Sequence, residues 1–230
     1  MISIVTINLN NKEGLERTIK SVLAQTCIDD IQYIVIDGKS TDGSVDVIKQ
    51  YADGIDYWVS EKDKGIFNAM NKGLKEAKGE YVLMLNSGDY LASADVIEQV
   101  LKHIDGSIII YGDITLFKKN KAMVSYINAE YVTENTYSFK NRKIDNAFFK
   151  VASLPHQATF IRTDYHKEHP YNENFRSISD GLFFKEAILK NKVTHKYIPV
   201  NVSCFELGGM SSTELAKKEQ DDYFFKYLDK

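Results

Sequence analysis

Cysteine is scarce in this chain: Cys27 and Cys204 are the two among 230 residues, far apart and without metal-ligand spacing. That excludes a disulfide-stapled scaffold and points to a reducing compartment. Neither sign of charge dominates, since 29 Lys and Arg stand against 32 Asp and Glu, for a net charge of −3 and a pI of about 6.0. Broad attraction to nucleic acid is thereby excluded. No apolar run approaches the ~20 residues of a membrane-spanning helix. The opening segment over 1–7 is too short for a signal peptide and reads as a strand. Internal repeats and low-complexity linkers are also missing. A soluble, cytoplasmic protein is expected. The remaining composition, 43% hydrophobic and 27% charged, is that of one globular domain with ample core.

What is present is a rhythm. Short apolar runs at 2–7, 33–36, 57–59, 81–85 and 107–111 read as strands. Between them lie helical stripes: Leu15, Ile19, Val22 and Leu23, then Val45, Ile48 and Ala52, then Ile66, Ala69, Met70, Gly73, Leu74 and Ala77, then Val96, Ile97, Val100 and Leu101. Asn10 with Glu13 is expected to box the start of the first helix, and Ser93 to cap the fourth. Such alternation predicts a mainly parallel sheet with helices on both faces. Ligands of such sheets bind beyond the carboxyl ends of the strands. The most informative turn is Asn86-Ser87-Gly88-Asp89, which follows the 81–85 run directly. Asp89 falls where a metal or ligand is expected, and Asn86 can add a second oxygen. A plain Asx turn is the bland alternative.

After Asp113 the rhythm changes. Residues 114–117 and 122–127 read as a hairpin, 130–152 as irregular, and 158–162 as a strand. A helix is expected over 180–191, and a last strand over 197–205 whose Pro199 suggests an edge position. Ser211 and Glu214 can box a C-terminal helix. The expected division is a nucleotide-binding half over 1–113, an acceptor-side half over 114–212 and a helix over 213–230.

Together, the segments SIVTINLNN, YIVIDGKSTDGS, SEKDKGIFNAMNKGLKEAKGEYVLMLNSGDYL, HQATFIR and ISDGLFF resemble family-2 glycosyltransferases of the GT-A fold. Small bacterial enzymes of capsule, exopolysaccharide and lipopolysaccharide assembly are the nearest kind. The resemblance implies one GT-A-like α/β domain with a Rossmann-like sheet and a smaller acceptor-side subdomain. It implies an inverting transferase of the hexosyl or N-acetylhexosaminyl type. The donor would be a nucleoside-diphosphate sugar, expected to be a UDP-sugar. The acceptor would be a hydroxyl of a glycan or lipid-linked molecule, met at the inner face of the plasma membrane.

Residue by residue, the resemblance sets Thr6, Asn8 and Asn10 against base and ribose. Asp37 becomes the acid that accepts the uracil N3 hydrogen. Lys64, Gly65 and Asn71 approach ribose and diphosphate, and Asn86 joins them from the metal-motif turn. Asp89 becomes the ligand of a divalent metal, Mn2+ or Mg2+, and Asp180 the catalytic base. His156 is placed near the diphosphate, the metal or the acceptor. Two departures stand out: Gly38 holds the place of a second acid, and two carboxylates of the metal motif are replaced.

Each of these has a plainer alternative. Asp180 in the first turn of a helix is held ionised by the helix dipole, which suits a base, yet a helix cap has the same position. His156 could equally be a core histidine. His166-Lys167-Glu168-His169 lacks the spacing of a zinc-protease motif. The 223–228 aromatics read as a packed helix or, with Lys217, Lys218 and Lys226, as a peripheral membrane contact. The competing functions are a sugar-nucleotide-binding module without catalysis and a nucleotidyltransferase. The latter would carry a Gly-rich, basic loop after strand one, where this chain has Asn8-Leu9-Asn10-Asn11.

Overall fold

A computed structural model of the protein describes residues 1–117, 136–149, 152–206 and 218–219. The first half lays down β1 (Ile2–Asn8), β2 (Ile31–Asp37), β3 (Tyr57–Ser60) and β4 (Tyr81–Met84), paired in parallel. Helices α1 (Lys12–Leu23), α2 (Ser44–Gln50) and α3 (Ile66–Glu76) connect them. Then follow β5 (Tyr90–Leu91), α4 (Val96–Leu101), β6 (Ile109–Phe117), β7 (Thr136–Tyr137) and α5 (Asn146–Phe149). The chain continues through β8 (Thr159–Arg162), α6 (Thr163–Glu168), α7 (Ser179–Lys185) and β9 (His195–Glu206).

All these strands form one sheet in the order β3-β2-β1-β4-β8-β6-β9-β5, with β7 on β6. Every residue of β1 and β2 is buried, so both faces of the sheet are covered there. On one face α3 comes close because Gly73 has no side chain: a Cβ would stand 2.2 Å from Val5 Cγ1. Strand order reverses at β1, with β2 and β3 on one side and β4 on the other. The crevice at the carboxyl ends beside such a reversal is the ligand-binding place of open α/β sheets. Beyond β4 the sheet is mixed: β8 runs antiparallel between β4 and β6, and β6 pairs in parallel with β9. Strand β6 passes through residue 113 unbroken, so both halves share one sheet.

Several local expectations are corrected. Strand β9 is no edge, since it pairs with β6 and β5. Pro199 is absorbed by a bulge: the register steps from Tyr111 opposite Tyr197 to Asp113 opposite Asn201. Proline offers no N–H to a ladder, and two extra residues let the strand pass it. Asn11, not Asn10, precedes α1, and it makes no side-chain cap bond. Asp95 takes that place at α4, with the Ser93 hydroxyl donating to its carboxylate at 2.5 Å. Helix α7 ends in a π-turn over Glu186–Lys190. The expected strand at 122–127 and the aromatic run at 223–228 lie outside the described residues, whereas Lys218 and Glu219 are helical. His166 packs its ring against Tyr171 and Phe183, and burial pushes its pKa down to about 4. Among the described residues no helix is long and apolar enough to cross a membrane.

Candidate active site

A cleft of about 730 Å³ opens at the carboxyl ends of β1, β2 and β4, with Asn8, Gly38, Asn86, Asp89, His156 and Asp180 in its wall. The turn after β4 is held from below by α1. Arg17 Nη2 donates to the Gly88 carbonyl at 2.7 Å, and Asn11 Nδ2 to the Ser87 carbonyl at 3.0 Å. Thr18 Oγ1 donates to the Asp89 carbonyl at 2.6 Å and accepts the Gly88 N–H at 3.0 Å. Gly88 has φ of +108°, a left-handed conformation that glycine adopts without strain. The turn's backbone is thus fixed, with Asn86 and Asp89 in the wall of the cleft.

On the opposite side, His156 links two of the expected groups. Its Nδ1 lies 2.8 Å from Asp180 Oδ2, and its Nε2 lies 3.1 Å from Asn86 Nδ2. These partners assign the proton of the neutral ring to Nδ1, with Nε2 accepting from the amide. Burial disfavours the imidazolium. The Asp180 hydrogen bond and charge, aided by Asp89, outweigh it and raise the pKa above the ordinary value. Residue 178 is the N-cap position of α7, so the Asp180 carboxylate goes to His156 rather than to the helix end.

The nucleotide-side residues separate into two groups. Asn8, Gly65 and Asn86 face the cleft, and Asn8 Oδ1 is a buried acceptor with no partner. Thr6 is buried against the Tyr33 hydroxyl at 3.1 Å. Asn10 binds the 40–41 loop through its N–H and side-chain oxygen. The Lys64 N–H is bonded to Asn68 Oδ1, and Lys64 does not line the cleft. Asn71 ties α3 to the Tyr171 backbone and to Glu173.

Asp37, expected to face the base, is fully buried and outside the cleft wall. Its carboxylate accepts from Asn8 Nδ2, the Ser40 N–H and hydroxyl, and the Ser60 hydroxyl. Burial opposes its charge, but these donors prevail and hold its pKa below the ordinary 3.8. Asp37 therefore organises the loop beneath the cleft. Asp37→Asn is expected to remove about 2 kcal/mol or more, because one acceptor oxygen becomes a donor facing donors. In a chain of this size that is roughly 4–8 °C in Tm, read by calorimetry. The contribution is complete above the unfolded-chain pKa and is lost as pH falls through the depressed folded value, so the two proteins should converge in acid.

Among the described residues no group of three or more His, Cys, Asp or Glu could by itself hold a metal ion. The donors present suit a cation that is shared with a ligand. Asp89 offers a carboxylate, and Asn86 Oδ1 is buried with no partner because its amide nitrogen faces His156. Both are hard oxygens, and Mg2+ commonly takes one or two carboxylates with phosphate oxygens and water completing its shell. The set fits a divalent cation that arrives with a diphosphate.

Asn11, Arg17, Thr18 and Asp63 were not singled out by sequence reasoning. Thr18 did leave a signal, as a polar residue inside the apolar stripe of Leu15, Ile19 and Val22.

The chain is similar to known proteins in sequence and in fold. The family model described as Glycosyl transferase family 2 matches residues 3–170. An uncharacterized glycosyltransferase of Mycobacterium tuberculosis is 40% identical over 105 residues, 46% of this chain and 40% of the relative, so less than half of that relative is spanned. A PGL/p-HBAD biosynthesis glycosyltransferase of Mycobacterium bovis is 27% identical over 226 residues, covering 95% of this chain and 82% of the relative. Among solved structures, S. aureus TarS with UDP-GlcNAc superposes with a TM-score of 0.71 at 17% identity, over 98% of this chain and 68% of that one. A mannosyltransferase of Pyrobaculum calidifontis with GDP-Man and Mn2+ gives 0.63 at 14% identity, over 91% and 57%. At these identities the likeness to solved structures is one of fold.

Proposed function

The chain belongs to glycosyltransferase family 2, and from that premise we propose an inverting enzyme of cell-surface glycan assembly. It moves a hexosyl or N-acetylhexosaminyl group from a UDP-sugar to a hydroxyl of a glycan or lipid-linked acceptor. The observation that carries this reading is the separation of Asp180 from the Asn86–Asp89 turn by one imidazole, within one cleft at the reversal of strand order. The imidazole keeps the carboxylate and the turn in one cleft wall, so that an anomeric carbon bound in the cleft faces the base from one side and its diphosphate faces the turn.

Asp180 takes the proton of the acceptor hydroxyl as its oxygen bonds to the anomeric carbon. The bond from that carbon to the diphosphate breaks on the opposite side, and the nucleoside diphosphate leaves with the electron pair. His156, donating from Nδ1, holds the Asp180 carboxylate in place. Asn86 and Asp89 would hold Mn2+ or Mg2+, which when bound supplies positive charge to the leaving diphosphate. The nucleotide half is 1–113 and the acceptor half 114–212. TarS, alike in fold, is solved with UDP-GlcNAc, and one relative is named a PGL/p-HBAD biosynthesis glycosyltransferase, which supports the sugar-nucleotide donor; the enzyme works in the cytoplasm at the inner membrane face.

A thermal-shift panel of nucleoside-diphosphate sugars, with and without Mn2+, tests the proposal. One UDP-sugar should stabilise the protein by about 2.7 kcal/mol at a hundredfold excess over its Kd, a shift of several degrees. If no nucleotide sugar moves the transition in either condition, the reading is wrong.

A further inference from the structure

We infer that Glu219, 42 positions beyond Ser177 in the chain, is a positioning residue for the base. Its carboxylate pins the 176–177 loop that leads into α7, and so sets where Asp180 stands in the cleft; this rests on Asp180 being the proton acceptor of the transfer. Arg176, Ser177 and Asp180 all line the cleft. Glu219 Oε1 accepts the Arg176 N–H at 2.9 Å. Its Oε2 accepts the Ser177 N–H at 2.9 Å and the Ser177 hydroxyl at 2.7 Å. Among the described residues neither N–H has another acceptor.

The form of this contact separates it from an ordinary surface ion pair. Such a pair would join the Glu219 carboxylate to the Arg176 guanidinium, and exposed pairs of that kind contribute little. Glu219 takes backbone N–H groups instead, and the Arg176 side chain is left in the cleft wall. Hydrogen bonds to a carboxylate are charge-assisted, roughly twice as strong as neutral ones. What they hold here is the course of the main chain.

That course is fixed at its other end as well. The Asn71 amide of α3 pairs with both the N–H and the carbonyl of Tyr171, at 3.1 and 2.8 Å. The Asn172 N–H donates to Ser179 Oγ at 2.6 Å, which ties the loop across to the first residue of α7. Asn71 therefore sets where the loop begins, and Glu219 sets how it enters the helix. His156 holds the Asp180 carboxylate at 2.8 Å, but only the backbone decides where that carboxylate starts from. Misplacing a reacting group by about 1 Å can cost roughly 10²-fold in rate.

Release of UDP to water, from whichever UDP-sugar shifts the thermal transition most, tests the inference on the full chain with Mn2+. Water takes the acceptor's place, so the base is still required. Glu219→Gln keeps the side chain's size and one oxygen but loses the charge, and should slow release about tenfold; Glu219→Ala should approach about 100-fold. UDP affinity, read by calorimetry, should be unchanged in both. The double variant Glu219→Gln with Asp180→Asn should be no slower than Asp180→Asn alone, because a residue that acts by placing the base has nothing left to place. If Glu219→Ala does not fold, Glu219→Gln carries the test. Wild-type rates in the Glu219 variants overturn the inference and leave Asp180 as the base. So does a double variant slowed by the product of the single losses, or a loss of UDP affinity that matches the loss of rate. A fully active Asp180→Asn enzyme, or a wild-type protein that releases no UDP, overturns the underlying reading as well.

Discussion

Asp180→Asn is expected to lower kcat by about 10²–10⁴-fold, the usual worth of general-base assistance, while donor affinity stays near that of the wild type. The substituted amide fills the same volume, and its oxygen can still accept the His156 Nδ1–H that now reaches Oδ2 at 2.8 Å. What it cannot do is take a proton from an acceptor hydroxyl. A loss in rate with binding intact is the mark of an interaction made only in the transition state. Stability should change little, because residue 178 and not Asp180 holds the N-cap position of α7. The same single displacement requires the new glycosidic bond to have the opposite anomeric configuration to the donor, which NMR of the product reads directly. An active Asp180→Asn enzyme, or a product that keeps the donor's configuration, removes Asp180 from the mechanism.

Asp89→Asn should reduce transfer by roughly 10²–10³-fold, comparable with losing one preorganised group that meets transition-state charge. It should also make UDP affinity insensitive to chelator, whereas wild-type affinity should fall sharply when EDTA is added. The turn itself should survive, since Thr18 grips residue 89 through its backbone carbonyl and Arg17 grips the Gly88 carbonyl. A loss confined to metal-dependent binding and rate, in a variant whose turn is kept by these backbone contacts, would locate the function in the carboxylate. Equal chelator sensitivity in both proteins would exclude Asp89 as the metal ligand.

These two residues illustrate what the linear chain discloses. Asp89 and Asp180 stand out in the chain because strand-end turns and helix starts are local events, written in consecutive residues, while the roles proposed for them come from the family resemblance. The strands β1, β2 and β4, the stripe of α3 and the α/β class follow from the same local periodicities, which depend on backbone geometry alone. Pro199 shows the limit: its missing N–H was legible, but its accommodation by a bulge inside a paired strand depended on neighbours that Ser203 and Cys204 meet from β5.

The tertiary structure alone decided which polar groups are already satisfied. Asp37 ends β2 and Asp63 lies three residues beyond β3, two acids at the same end of one sheet. Folding surrounds Asp37 with the donors of Asn8, Ser40 and Ser60 and leaves Asp63 over the open backbone of Gly38. Likewise His156 acquires its meaning from Asn86, 70 positions away, and from Asp180, 24 away. Sequence determines which side chains have the chemistry to hold a proton, a metal or a base. Only the packed sheet fixes which of them have spent that capacity on one another, because a hydrogen-bonding group is available to a ligand only when the fold has not already given it a partner.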